Sequence, residues 1–196
     1  MIKIIVLVIV GLIVALLGYA ATKPDMFHVQ RSASVKAPPE KIFVYLNDFR
    51  NFSFWSPYEK LDPAMKRNYS GAPNGKGAVY EWEGNKKAGK GRMEITGAAP
   101  ASKVTINLDF VKPFEAHNIV DFMLQPTGDS TKVTWAMHGP NSYLAKVVHV
   151  FVDMDSMVGK DFDAGLANLK VITERTAAAA GTKEVHAMTH SVVPES

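Results

Sequence analysis

Histidines are the first candidates for chemistry in this sequence, because imidazole binds metals and transfers protons near neutral pH. The six lie at His28, His117, His138, His149, His186 and His190. The last two fall in a polar C-terminal stretch without a structural pattern, and the other four are widely spaced. The sequence therefore predicts no metal site and no cofactor, and it contains no recognisable nucleophile with a partner base.

Two further segments have the composition of ligand sites. Asp153, Asp155, Asp161 and Asp163 form an acidic group, but the glycine and closing glutamate of a calcium-binding loop are missing. Asp161 and Asp163 are instead expected near a helix N-terminus, where the helix dipole favours negative charge. The glycines of 71–77 lack the lysine and hydroxyl residue that end a phosphate-binding loop, so a hairpin turn is predicted there.

Large rings give the strongest pattern. In the period-two segments, apolar and aromatic residues alternate with polar ones, which places the rings on one face of a sheet. Such a face either packs as a solid core or lines a cavity for an apolar ligand. The candidate ligand-binding residues are Trp55, Tyr80, Trp82, Phe110, Phe122, Trp135 and His138.

The elements that carry these rings form an α+β arrangement. A first strand is predicted over 27–35 and a helix after Pro38, followed by close-spaced strands typical of an antiparallel meander. A helical pattern over 142–176, interrupted near 153–155 and Gly159, is expected to cover the apolar face of the sheet. The predicted meander strands are 65–70, 78–83, 89–96, 103–110, 118–125 and 132–139.

The N-terminal segment is long and apolar. Residues 4–21 carry no charge and nearly match the hydrocarbon thickness of a bilayer as a helix. A cleaved signal peptide is the alternative, although its apolar region is usually shorter. The predicted organisation is a transmembrane anchor at 1–22, contacting the membrane through 2–21, then a linker at 23–26, a domain at 27–176 and a disordered tail at 177–196. A short N-terminal anchor of this kind favours a single-pass protein whose domain lies on the periplasmic or extracytoplasmic side.

Charge and cysteine content exclude several classes of protein. The formal net charge is +3, and the chain has no cysteine, so it has neither disulfides nor thiolate chemistry. Basic residues gather at 66–67 and 86–92, where a solvated hairpin edge is favoured over contact with the phosphates of lipid or nucleic acid. Without interleaved aromatic residues, they do not predict nucleic-acid binding.

Five segments resemble the START-like helix-grip superfamily, and within it the SRPBCC branch of polyketide cyclases, dehydrases and lipid-transport proteins. The segments are 35–43 (VKAPPEKIF), 54–58 (FWSPY), 75–85 (GKGAVYEWEGN), 131–135 (TKVTW) and 159–170 (GKDFDAGLANLK). The resemblance covers about residues 27–174. It implies a curved antiparallel sheet wrapped around a long C-terminal helix, with a ligand cavity between them. It does not fix a function, since one fold hosts many.

Three functional hypotheses follow. The first is a membrane-anchored domain that binds a lipid-like or aromatic small molecule, with Tyr80, His138 or Asn141 supplying polar contacts. The second is an enzyme of the cyclase or dehydrase type, for which His138, Tyr80 and Asp161 are the residues to test. The third is a ligand-free interaction or stress-related domain with a filled core. We favour binding over catalysis because no catalytic constellation is apparent.

Overall fold

A computed structural model describes the backbone of residues 2–190 and the side chains of residues 2–179. The N-terminal apolar segment forms helix α1, Ile2–Ala21, and nearly all of its side chains are exposed. This helix is long and apolar enough to cross a membrane. After a four-residue linker the chain enters strand β1, Met26–Val35.

A seven-stranded antiparallel sheet forms the body of the domain, in the order β1-β7-β6-β5-β4-β3-β2. Strands β2 to β7 form the predicted meander, and β1 pairs with the last strand along its whole length. The remaining strands are β2 Lys66–Gly71, β3 Ala78–Glu83, β4 Lys90–Ala99, β5 Lys103–Lys112, β6 Ala116–Thr127 and β7 Ser130–Pro140.

Short helical elements separate β1 from the meander. Helix α2, Pro39–Leu46, begins with a proline in its first turn, a position where proline's fixed φ and missing N–H are tolerated. A 3₁₀ turn Phe49–Asn51, helix α3 Phe52–Trp55 and a second 3₁₀ turn Pro57–Lys60 follow. Phe49, Phe52 and Trp55 are buried, so this segment contributes to the core.

The C-terminal region contains the predicted short helix and long helix. Helix α4 is Tyr143–Val148 and helix α5 is Met154–His190. The interruption lies between them, where Asp153 accepts from the backbone N–H of Ser156 at 3.1 Å and thereby caps α5. Gly159, expected near the break, lies inside α5, and the Arg31 guanidinium packs where its Cβ would be.

Two predicted positions differ from the structure. Asp161 and Asp163 lie in the second and third turns of α5, because the helix begins earlier, at Met154. Helix α5 also continues past Thr176, where the disordered tail was expected to begin. Ala177 to Ala180 are strong helix formers, which accounts for the continuation. The end of the predicted tail, residues 191–196, lies outside the described residues.

The sheet has two ends that differ in their neighbours. We call one of them the proximal end. Strand β1 begins there after α1, and strands β4 and β6 also begin there. Strands β3, β5 and β7 end there. Helix α5 starts at the proximal end and runs towards the opposite, distal end. Arg31 binds the first turn of α5 at Asp155, and the Lys36 N–H donates to Glu174 near the distal end at 2.7 Å. The concave face of the sheet is the face that α5 covers.

Candidate functional site: the concave aromatic face

The distal half of the concave face is filled by rings that contact one another. Trp135 of β7 lies at the centre, with its ring centroid 5.3 Å from that of Trp55 and 5.2 Å from that of Phe122. On its other side it stacks on Phe162 of α5, at 4.0 Å and an interplanar angle of 8°. These four rings join the sheet, α3 and α5 in a single packed cluster.

Gly165 allows α5 to approach this cluster closely. A Cβ at this position would lie 2.7 Å from Cζ3 of Trp135 and 3.1 Å from Cδ of Pro57. Both distances are shorter than ordinary van der Waals contact. The absence of a side chain at Gly165 therefore sets the spacing between α5 and the sheet.

A second group of rings lies on the concave face of β3 and β5. The centroid of Trp82 is 6.0 Å from that of Tyr80 and 5.9 Å from that of Phe110. The indole of Trp82 lies across Gly91 of β4, where any Cβ would collide with it, and its Nε1–H donates to the Ala88 carbonyl at 2.9 Å. Trp82 is thereby held flat against the sheet next to the proximal end.

Solvent accessibility on the concave face changes from the distal to the proximal half. At the distal half Ile95, Val104, Ile106 and Phe122 are at most 1% exposed, and Leu124 and Trp135 are 4% and 5% exposed. At the proximal half Trp82, Leu108 and Met137 each keep 8%, and Met93 and Phe110 are only half-buried. Strand register makes these residues neighbours, since Leu108 pairs with Met93, and Gly91 pairs with both Phe110 and Trp82. The proximal half is thus an apolar wall that is less completely covered than the distal half.

Two buried polar groups on the concave face have unused hydrogen-bonding capacity among the described residues. The Asn118 side chain is 7% exposed, makes no side-chain hydrogen bond to them, and places Oδ1 over Gly139. The buried Nε1–H of Trp135 likewise has no partner there. Buried polar groups are normally paired, so these two are exceptions on this face.

Glu59, which the sequence analysis did not single out, and Arg67 add a polar cluster to the same face. Arg67 was expected on a solvated hairpin edge, but it turns inward because it pairs with the buried Glu59 carboxylate. The Tyr80 hydroxyl donates to Oε1 of Glu59 at 2.6 Å, and Arg67 Nε donates to Oε2 at 2.7 Å. Burial, and then the Glu59 carboxylate, raise the pKa of Tyr80, so that its phenol remains protonated. Glu59 is a suitable acceptor because its side chain is almost fully buried. The only sequence signal was the alternation that puts Arg67 on the same face as its partner in β3, Trp82.

His138 is not part of this wall. It pairs with His28 of β1 on the convex face, where the two rings stack at 6.4 Å. Asn141 is also elsewhere: its side chain donates to the Pro24 carbonyl at 3.0 Å in the linker after α1. Of the predicted site residues, the structure brings together Trp55, Phe122 and Trp135 distally and Tyr80, Trp82 and Phe110 proximally.

The acidic residues at the start of α5 form contacts within the protein. Arg31 donates to both carboxylate oxygens of Asp155, at 3.0 and 2.9 Å, and lies 3.5 Å from Asp163. The hydrogen bonds from Arg31 lower the pKa of Asp155. Asp161 lies near Tyr58, whose pKa is raised by burial and then by this carboxylate. Within the described part of the chain, no cluster of three potential metal ligands occurs.

A cleft of about 530 Å³ opens at the proximal end, between β1 and the segment that joins α4 to α5. Phe27 and Val29, which line it, belong to the concave face of β1, so the cleft reaches that face at its edge. The other lining residues include the linker pair Lys23 and Pro24 and the apolar residues Met26, Val150, Phe151, Val152 and Met154. Its volume is that of a site for a small ligand.

Solved structures share this fold at low sequence identity. Protein CV1439 from Chromobacterium violaceum is 13% identical, with a TM-score of 0.53 over 78% of this chain and 99% of that chain. The Aha1 dimer from Colwellia psychrerythraea is 18% identical, with a TM-score of 0.54 over 76% and 96%. DynU16, a putative protein in the dynemicin biosynthetic locus, is 16% identical, with a TM-score of 0.54 over 79% of this chain and 49% of that chain.

A family model gives the assignment. No curated protein matches the sequence. The model for polyketide cyclase / dehydrase and lipid transport proteins matches residues 26–174, from the first residue of β1 well into α5. The predicted resemblance and the predicted helix-grip fold are therefore confirmed, and the chain belongs to the polyketide cyclase / dehydrase and lipid transport family.

Proposed function

We propose that this protein is a membrane-anchored domain that binds a lipid-like or aromatic small molecule against the proximal half of its concave face. The observation that carries the proposal is the change in accessibility along that face. The distal rings are packed against one another, whereas Trp82, Met93, Leu108, Phe110 and Met137 form an apolar wall that is less completely covered. An apolar ligand that covers this wall removes it from water, which is the main source of affinity in such sites.

A polar group on the ligand has a partner in this site. Asn118 lies beside Leu108 in the sheet register, and its amide has no side-chain hydrogen bond to the described residues. An amide donates as well as accepts, so it pairs with a hydroxyl, a carbonyl or a carboxylate. The ligand class that fits is an apolar molecule with one polar end.

The anchor supports a ligand that comes from the bilayer. Helix α1 has 20 residues and spans about 30 Å, which matches a hydrocarbon core. It leads directly into the proximal end, where the wall is less covered and the cleft lies. We place the domain on the extracytoplasmic side, because a short N-terminal anchor favours that orientation.

Catalysis of the cyclase or dehydrase type is less well supported. Tyr80 is bonded to Glu59, and His138 lies on the other face of the sheet, so two of the three residues named for that chemistry do not converge. The packed cluster around Trp135 favours the ligand-free interaction domain instead, which makes that hypothesis the main competitor. A direct test of occupancy separates it from binding.

Photo-crosslinking in the native membrane provides that test. The photoactivatable residue p-benzoylphenylalanine replaces Phe110 in the full-length protein, and the irradiated protein is digested and analysed by mass spectrometry. The control places the same residue at Asn107, which is exposed on the convex face of the same strand. A small-molecule adduct at position 110 and none at position 107 supports the proposal. Equal labelling at both positions, or none at 110, overturns it.

A further inference from the structure

Large apolar side chains are exposed together at the proximal end. Phe114, in the hairpin between β5 and β6, is 75% exposed, and Phe151, in the segment between α4 and α5, is 73% exposed. Leu144 and Val148 are exposed one turn apart on α4. The strand register puts the β5–β6 hairpin at the same end of the sheet as the start of β1. We call this group of four side chains the proximal rim.

Several contacts fix α4 against the end of α1. The Tyr143 hydroxyl donates to the Leu17 carbonyl at 2.7 Å, which places α4 beside the last apolar turn of α1. In the linker, Asp25 accepts from the Asn141 N–H at 2.7 Å and pairs with the Lys146 ammonium. These bonds hold α4, which carries Leu144 and Val148 of the proximal rim, beside the C-terminal end of α1.

The charges around the proximal rim favour a lipid surface over a protein groove. Lys86, Lys87 and Lys112 are exposed on the β3–β4 hairpin and at the end of β5, with Glu115 beside them, and the exposed Asp153 follows Phe151. Lys23 lies over the Tyr19 ring at 4.8 Å, at the end of α1 where interfacial aromatics and cations are common. Exposed lysines flanking apolar tips match the anionic headgroups and acyl boundary of a bilayer.

From this arrangement we infer that the proximal rim docks onto the bilayer that holds α1, with Phe114 and Phe151 inserted at the acyl boundary. The inference rests on the proposed function, in that it requires α1 to span the membrane, and it deepens that function. Docking places the less covered half of the concave wall and the cleft at the lipid surface. An apolar ligand then passes between the bilayer and the wall without crossing water.

The absence of cysteine allows a direct test of depth. Single substitutions Phe114→Cys, Phe151→Cys and Leu144→Cys are introduced into the full-length protein, labelled with the fluorophore NBD, and reconstituted into vesicles of phosphatidylcholine and phosphatidylglycerol. Phe54→Cys is the matched control, because Phe54 is a 62% exposed aromatic on α3, outside the proximal rim. Val10→Cys in α1 reports membrane insertion.

The expected result is blue-shifted emission at positions 114, 151 and 144, with quenching by lipids that carry a nitroxide on the acyl chain and protection from aqueous iodide. Position 54 should show no blue shift, no quenching by the nitroxide lipids and ready quenching by aqueous iodide. If position 10 reports lipid while the rim positions behave like position 54, the docking inference is overturned and anchoring stands. If position 10 itself reports water, the anchoring part of the proposed function fails, and docking fails with it.

Discussion

Trp135 of β7 and Phe162 of α5 stack in parallel, with their ring centroids 4.0 Å apart. This contact joins the sheet to the long helix, and Trp55 and Phe122 close it from the sides. These rings occupy the distal half of the interior, and the stack stabilises the fold by joining its two layers.

Loss of the central ring should destabilise the protein strongly. Trp135→Ala removes a buried indole that contacts four other rings, and large-to-small changes of this kind cost about 3–5 kcal/mol. Denaturant unfolding of the full-length protein in detergent micelles measures the change. Phe54→Ala, at an exposed aromatic, should stay within about 0.5 kcal/mol of the parent. Similar effects of the two variants would contradict the packing described.

Gly165 should not tolerate a methyl group. In an open helix position Gly→Ala stabilises by about 1 kcal/mol, but here the new Cβ would lie 2.7 Å from Trp135. Gly165→Ala should therefore lower the free energy of unfolding by about 1–3 kcal/mol. In a Trp135→Leu background the penalty should shrink, with the 3.1 Å approach to Pro57 as its remaining source. A stabilising effect in the parent protein would show that α5 does not lie this close to the sheet.

The polar cluster on the concave face should behave as a coupled unit. Arg67→Met leaves the buried Glu59 carboxylate with Tyr80 as its remaining side-chain partner, and losing a hydrogen bond to a charged group costs roughly 2 kcal/mol. Adding Glu59→Gln should recover part of that loss, since the unpaired charge is then removed. Urea unfolding of the two single variants and the double variant gives the coupling energy. Additive effects would mean that Arg67 and Glu59 act independently.

Much of the fold was predictable from the sequence because alternation is a local property. The strands of the meander and the shared face of Tyr80, Trp82, Phe122 and Trp135 follow from period two alone. The face on which His138 lies was also predictable. His138 is three residues from Trp135 in the same strand, so its side chain points to the opposite face. The prediction that His138 lines the wall conflicts with this alternation.

The division of the concave face into a more covered and a less covered half was not predictable in the same way. It depends on which strands α5 covers and on the close approach at Gly165, both of which are long-range properties. The polar cluster was missed for a related reason. Glu59 lies in an irregular segment whose side-chain direction no periodicity indicates, and only the fold brings it to Tyr80 and Arg67.

The attachment of α5 to β1 should weaken in acid. Arg31 lowers the pKa of Asp155 below its ordinary value of 3.8. A carboxylate with a depressed pKa in the folded state contributes stability above its unfolded pKa, and this contribution is lost as the pH falls through the folded pKa. Asp155→Asn should therefore destabilise the protein at neutral pH, and the difference from the parent should shrink below pH 3.8. A difference that stays constant with pH would rule out this pairing as the cause.

Native mass spectrometry of the full-length protein, purified gently from its membrane and followed by lipid extraction, tests the central claim most directly. The proposed function predicts one apolar molecule per chain, which is lost in a Phe110→Glu variant and retained in the matched Asn107→Glu variant on the convex face. A parent protein that carries no bound molecule would contradict it and would favour a ligand-free interaction domain.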